Sequence, residues 1–462
     1  MKDKEKQVKE PKPRNNAQLI LLALVAFAAL SWIGLMQTQT SNTSKYEELC
    51  AQADADAQKG IYKTAIPAYQ QALQMTPDSY ELVLKLAEAY KGLGDKRSML
   101  ATLDQAIAID PTKAEPYLGK VDYYIEGKKY SEAIQVIEAA TMVKDKEVLS
   151  NLRESLRYFY NEKYVSYQEV GDWLNGFAVV GTEGLFGAID PSGNEKIRLK
   201  YLELQGCAKP SSSAAGLFPC KMEEEYFYID QDGDKYLVGE KAFQFLGVFG
   251  SGYAPAKLDN LYGYIDPDFG EHSFEFQFAG SFANGIAAVK KGEAWALIDQ
   301  SLQPITGYEF DDILVDSNGF CNLYGITAVR KTGKYYLYDP AAKKISQQAF
   351  DQIRLPASEK GAVAVCIEGK WGFADRDGKI LIDPSYDDAA SFCYIPSKGS
   401  ESFVYQLAPV KVLDKWGYID STGKLVIDTI FQEARPFNAK GTAAVKSSSA
   451  YWKIVVLSEF DV

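Results

Sequence analysis

The sequence predicts a multidomain chain of α plus all-β class. One transmembrane helix leads into an α-solenoid of short repeats and then a β-repeat domain, a seven- or eight-bladed propeller with an open β-solenoid as the rival arrangement. Three observations predict it. Leu19 to Met36 is 18 residues without a charge, long enough with its flanks to cross a bilayer. Residues 45–162 repeat small residues, Gly and Pro with a period near 34, the spacing of stacked helix pairs. Beyond residue 163 a phrase of aromatic, Gly, two apolar or aromatic residues and Asp recurs seven times. Seven copies cannot each be an active site, so the phrase is architecture.

The N-terminal elements follow from charge and apolar length. Residues 1–18 form a basic tail, residues 19–36 the span, and residues 37–44 a polar linker. The one Ala-x-Ala, Ala26 to Ala28, lies inside the apolar run, which argues for an uncleaved anchor over a signal peptide. Lys2, Lys4, Lys6, Lys9, Lys12 and Arg14 precede the span, against Lys45 and Lys59 after it. The expected placement is a single pass through a cell membrane, with the N-terminus cytoplasmic and the bulk extracytoplasmic.

Composition narrows the partners. The 462 residues are 24% charged, 47% hydrophobic and 13% aromatic, as folded chains rich in strands are. Six bases against three acids give the first 17 residues +3, which leaves −15 of the total −12 on the remainder. Such an acidic body excludes nucleic acid as an expected partner. Of six cysteines, Cys207 and Cys220 flank the small polar loop 208–219 and could close it as a disulfide. No CxxC accompanies the single His272, so no metal is expected.

In residues 45–162 each unit reads as helix, Gly turn, helix and stop. Gly60, Gly94 and Gly127 mark the turns, and Ala72, Ala106 and Ala140 the close helix approaches. On Ala53, Gly60, Tyr62, Ala65, Tyr69, Ala72 and Pro77, and on Leu86, Ala87, Tyr90, Gly94, Ala106 and Pro111, the segment resembles tetratricopeptide repeats. Met99 departs from the usual small residue, and the third unit ends at Asp145 rather than Pro. Residues 146–162 are expected as a capping helix. The resemblance implies a concave groove lined by first helices, which here would present Glu47, Asp54, Glu81, Glu88, Lys91, Glu115 and Asp122. Six acids and one base fit a basic peptide, and equally a solvated helix face.

Residues 163–462 change to short aromatic and β-branched runs between Gly, Asn and Asp turns. Full copies of the phrase are Phe186 to Asp190, Tyr262 to Asp266, Trp371 to Asp375 and Trp416 to Asp420, and looser ones end at Asp230, Asp299 and Asp339. The aromatic is expected to fill space between sheets, the Gly to admit a close neighbour and the Asp to start a turn. Phe310-Asp-Asp-Ile, Phe350-Asp-Gln-Ile, Tyr386-Asp-Asp-Ala and Phe431-Gln-Glu-Ala recur behind it. Four strands in the unit Leu407 to Phe437 match one propeller blade. Trp371-Gly372 and Trp416-Gly417 carry a resemblance to the WG-repeat family, which implies a binding or structural module. Tyr164 to Val170 is expected to pair with a partial eighth unit, Gly441 to Leu457, and close the ring.

Chemical motifs are few. Asp230-Gln-Asp-Gly-Asp234 begins like a calcium loop and departs at Lys235 and Lys241. No Walker or Rossmann fingerprint occurs. The expectation is a non-enzymatic scaffold or adaptor, without catalytic residue or cofactor, that holds a protein or peptide partner. A module binding envelope carbohydrate or cell wall, with exposed Tyr and Trp stacking on sugars, is the alternative.

Overall fold

The computed structural model describes residues 16–207, 216–239, 241–398, 403–447 and 450–461, with only the backbone for most of residues 16–41. The chain divides into two compact units. One holds the residues up to Glu126 and Val136–Ser150; the other holds Gly127–Gln135 and Asn151–Val462.

The transmembrane helix expected at 19–36 is overturned, because no helix among the described residues is long and apolar enough to cross a membrane. The apolar run is not an element of its own. It opens a single helix, α1 (Asn16–Gln58), that continues without a break through residues 37–44 into the polar start of the repeats. At 1.5 Å per residue such a helix is about 65 Å long, twice a bilayer core. The single-pass placement in a cell membrane is corrected with it. Residues 1–15, whose basic side chains set the expected orientation, lie outside the described residues.

Helices α2 (Tyr62–Met75), α3 (Tyr80–Leu93), α4 (Lys96–Ile109), α5 (Glu115–Glu126), α6 (Tyr130–Ala139) and α7 (Glu147–Ser155) follow. Small residues let them approach: Ala53, Ala65, Ala68, Tyr69, Ala72, Leu82, Leu86 and Ala89 form one core. Gly92 is needed because a Cβ there would lie 2.2 Å from the Tyr62 ring. Gly94 ends α3 in the left-handed region at φ 81°, and Asp95 caps α4 by accepting from the Ser98 N–H at 3.1 Å. The segment expected as a capping helix is shorter than 146–162, since α7 stops at Ser155 and a strand begins at Tyr160.

The β domain has eight antiparallel sheets. Blades 1–7 span 169–201, 203–236, 245–276, 278–299, 312–345, 352–386 and 388–431, and blade 8 takes 433–457. The ring closes as expected but with different bounds: Tyr160–Tyr167, rather than Tyr164 to Val170, supplies the fourth strand of blade 8 and pairs with Trp452–Leu457, while Val170 lies in the first strand of blade 1. Eight apolar clusters lie at the eight blade boundaries, from Ala188, Tyr201 and Phe218 between blades 1 and 2 to Ala178, Ala444 and Ile454 between blades 8 and 1. A closed ring accounts for all eight, and an open solenoid does not.

The phrase forms the third strand of blades 1–7. The true first strands, such as Asp388–Ala389 and Glu433–Ala434, are two residues long. Directly after the leading aromatic the fourth strand bulges: Phe186 pairs with Tyr201 but Ala188 with Ile197, and Trp416 with Phe431 but Tyr418 with Ile427. The bulged backbone lies on the Gly. A Cβ at Gly187, Gly372 or Gly417 would stand 2.4, 2.5 or 2.5 Å from the carbonyl oxygen of Ile197, Ile382 or Ile427. The leading rings of Phe186, Tyr262 and Trp416 are only half-buried, and the space between blades is filled by Tyr264, Phe373 and Tyr418 two positions later.

The Asp of the phrase starts a turn as expected. Asp190 Oδ1 accepts from the N–H groups of Ser192 and Asn194, and Asp420 Oδ1 from those of Thr422 and Lys424. The Asp230 loop that opens like a calcium site is this same turn, with Oδ1 taken by the N–H groups of Asp232 and Asp234.

Candidate functional site

On the helical unit the sequence-predicted groove residues fall on α1 (Glu47, Asp54), α3 (Glu81, Glu88, Lys91) and α5 (Glu115, Asp122). The structure separates them into two kinds. Asp54 accepts from Tyr69 Oη at 2.6 Å and Lys85 Nζ at 2.7 Å, joining α1, α2 and α3. Burial raises its carboxyl, and the Lys85 and Tyr69 bonds more than offset this and hold it below its ordinary range. Glu115 Oε2 accepts from Tyr80 Oη at 3.2 Å and joins α3 to α5. Asp54 and Glu115 therefore stitch neighbouring repeats. Glu47, Glu81, Glu88, Lys91 and Asp122 are exposed. Sequence reasoning missed Lys85, although its place one turn after Glu81 puts it on the same helix face.

On the β domain the centre of the ring is filled by the loop 314–326 of blade 5. Its Ser317 Oγ donates to Asp172 of blade 1 at 3.3 Å, and Asn318 Oδ1 accepts from the Gly206 N–H of blade 2 at 2.9 Å. Asn322 O accepts from Asn284 of blade 4 at 2.7 Å, and Tyr324 O from Arg376 of blade 6 at 2.7 Å. Phe320 packs with Leu174, Val248 and Ala283. Only a loop crossing the axis can meet so many blades. Within it Asp316 repeats the turn of the phrase, its Oδ1 accepting from the Asn318 and Phe320 N–H groups at 2.8 and 2.9 Å. Burial pushes its carboxyl up to about 7. The sequence signal for this hub was the extra length between Ile313 and Thr327.

Cys207 and Cys220 are free thiols. Both are buried in the apolar cluster of Tyr201, Phe218 and Phe227, and Cys220 Sγ donates to Phe227 O at 3.4 Å. Burial pushes each thiol up to about 12, far from a reactive thiolate. Residues 208–215 of the loop between them lie outside the described residues.

Comparison with known proteins agrees with the repeats. The model of the WG containing repeat matches residues 273–295, 371–394 and 416–448, and that of the tetratricopeptide repeat matches 80–113. The cellulose synthase operon protein C of Escherichia coli K12 and that of Escherichia coli O157:H7 are each 30% identical over 107 residues, which is 23% of this chain. The chain spans 9% of the length of these curated relatives. A crystal structure of the eukaryotic initiation factor is similar at a TM-score of 0.37 and 11% identity, covering 64% of this chain and 85% of that one. A crystal structure of BBS1N in complex with ARL6DN is similar at 0.34 and 10%, covering 65% and 97%. At such scores the fold rests on the blade topology itself. The chain is a repeat protein that joins tetratricopeptide-type helices to an eight-bladed propeller carrying WG repeats.

Proposed function

We propose that this protein is a non-catalytic scaffold that holds protein partners, with a basic segment of one partner lying along the first helices of the repeats. The observation that carries this reading is the row of exposed Glu47, Glu81, Glu88 and Asp122 on α1, α3 and α5. None of these four has an ion pair or side-chain hydrogen bond among the described residues. Their neighbours Asp54 and Glu115 are spent on holding the helices in register, and no side chain among the described residues forms an ion pair with the row. Tetratricopeptide repeats and a propeller both support binding to proteins.

The test is a peptide array probed with the full chain and with a variant carrying Lys at positions 47, 81, 88 and 122. Enrichment of basic peptides, lost in the variant and weakened by salt, is expected. Peptide selection without basic bias, or equal binding by the variant, would overturn the groove. Binding to a glycan array and to no peptide would favour the carbohydrate alternative.

A further inference from the structure

Blade 2 lacks a contact that every other blade makes. In seven blades the leading aromatic of the third strand is bridged to an aromatic of the segment on the blade's outer side. The pairs are Phe186 with Tyr201, Tyr262 with Phe276, Trp295 with Phe310, Tyr335 with Phe350, Trp371 with Tyr386, Trp416 with Phe431 and Trp452 with Tyr167. Tyr226 stands at this place in blade 2, and among the described residues it has no such bridge. The expected partner is Phe243, which precedes the first strand of blade 3 as the other outer aromatics precede theirs. It is displaced. From Trp295 to Phe310, and in four other blades, the separation is 15 residues, whereas Phe243 follows Tyr226 by 17. Val238 and Phe243 of the longer segment are buried with Leu246 between blades 2 and 3.

The result is a gap where a strand belongs. Blade 2 keeps only Lys235–Tyr236 as its fourth strand, which pairs with Tyr228 and Ile229 and leaves the backbone of Tyr226 without an outer strand among the described residues. A cavity of 440 Å³ lies there, lined by Glu223 to Phe227, Leu237 and Phe243 among others. Backbone direction follows from the inner side of the sheet. Lys221 O and Pro219 O accept from the Leu202 and Gln205 N–H groups, so both point toward the first strand. Their partners across the ladder, Tyr226 and Tyr228, then direct N–H and C=O outward. Tyr228 meets Tyr236; Tyr226 faces the cavity. In blade 5 the equivalent Tyr335 exchanges both bonds with Phe350 at 2.9 Å.

Charge selects what fills the gap. Lys235 is held by Glu225 and Lys241 by Glu271, each at 2.5 Å, so the neighbouring bases are already used. Glu223 and Glu224 at the rim are exposed and have no ion pair among the described residues. Leu237, 56% exposed, adds an apolar contact.

We propose that blade 2 takes an extended segment of a partner protein as its missing outer strand. The segment pairs with the Tyr226 backbone and sets basic side chains, at alternate positions, against Glu223 and Glu224. This site is separate from the helical groove and does not depend on it.

The test uses the full chain and a fluorescent, amidated hexapeptide of alternating lysine and valine. Saturable binding is expected, weakened about fivefold when alternate peptide nitrogens are methylated, since the backbone bond accepted by the Tyr226 carbonyl is lost. Glu223→Lys with Glu224→Lys should weaken it at least as much without altering thermal unfolding. The Tyr226 amide should exchange fast in the free chain, unlike those of Trp295 and Tyr335, and become protected by the peptide. No binding, indifference to N-methylation, or a Tyr226 amide already protected in the free chain would overturn the proposal. Protection that rises with protein concentration in the absence of peptide would overturn it in favour of a second copy. The variant with four Lys substitutions in the helices should bind the hexapeptide normally; loss there would assign the peptide to the groove, leave the groove reading standing and overturn this one.

Discussion

The hydroxyl of Tyr418 donates to the carbonyl of Arg435 at 2.8 Å, a bond from blade 7 to blade 8. Tyr228 makes the same bond to Gly247 O at 2.8 Å, and Tyr264 to Gly280 O at 3.1 Å. Each acceptor is the residue just after the short first strand of the next blade. All three tyrosines are fully buried, and burial drives their hydroxyls well above the usual phenol range. The bond thus ties blade to blade at an equivalent point in the ring. Tyr418→Phe leaves the Arg435 carbonyl unpaired and should cost about 1–2 kcal/mol in urea unfolding. Tyr418→Ala should cost about 3–5 kcal/mol. Trp416→Ala, which removes a half-buried ring, should cost less than Tyr418→Ala, and the reverse order would mean that the leading aromatic is the main filler.

Gly417 is predicted to be intolerant of the smallest side chain. Its Cβ would stand 2.5 Å from Ile427 O, a backbone atom in a bulge that cannot swing aside. Gly417→Ala should lower stability by about 1–3 kcal/mol, read as a shift in the urea midpoint at unchanged slope. An alanine variant as stable as the parent would remove close backbone approach as the reason for this glycine.

Glu459 is a buried carboxylate that accepts from Arg153 Nη2 at 2.5 Å, Tyr405 Oη at 2.5 Å and Ser397 Oγ at 2.6 Å. Its side chain is 1% exposed. Glu459→Ala leaves Arg153 without this charge partner and should destabilise the β domain by about 3–5 kcal/mol, measured by differential scanning calorimetry. A loss below about 1 kcal/mol would class the contact with weak surface pairs.

Asp316 should make stability depend on pH. Burial chiefly, with Asp172 adding and the Phe320 and Asn318 N–H groups opposing, pushes its carboxyl up to about 7. Its unfolded value is about 3.9. Between those values the folded chain keeps a proton that the unfolded chain has lost, so this contribution is complete below about pH 4 and declines as pH rises through 7. Asp316→Asn keeps an oxygen for both N–H groups and does not titrate. Relative to the parent it should gain stability from about pH 4 to pH 7 and level off above that in parallel urea titrations; a flat difference would count against Asp316 as the titrating group.

Features set by nearby residues were legible in the sequence. The Asp turn is one, because its bonds reach only two and four residues ahead. The blade count was bounded by counting phrases, and closure by the strand left over at each side. Strand phase was not legible, since a first strand as short as Glu433–Ala434 has no alternation to read. Nor was the loss of Asp54 from the acidic face, which depends on Lys85 arriving from another helix. The apolar run at 19–36 misled because length and lack of charge do not reveal where a helix ends. The gap at Tyr226 had a sequence trace, two extra residues before Phe243, that gains meaning only once the aromatic bridges of the other blades are known.

Closure of the ring by Tyr160–Tyr167 also sets a timetable for synthesis. This strand leaves the ribosome about 300 residues before its partner, a wait of roughly 15–60 s at ordinary elongation rates. Throughout that interval its unpaired edge is open to other nascent chains, and Asn161, Glu162 and Lys163 are the polar residues that discourage such pairing. Blades 1 to 7 can form as they emerge, while the blade that locks them together is finished last.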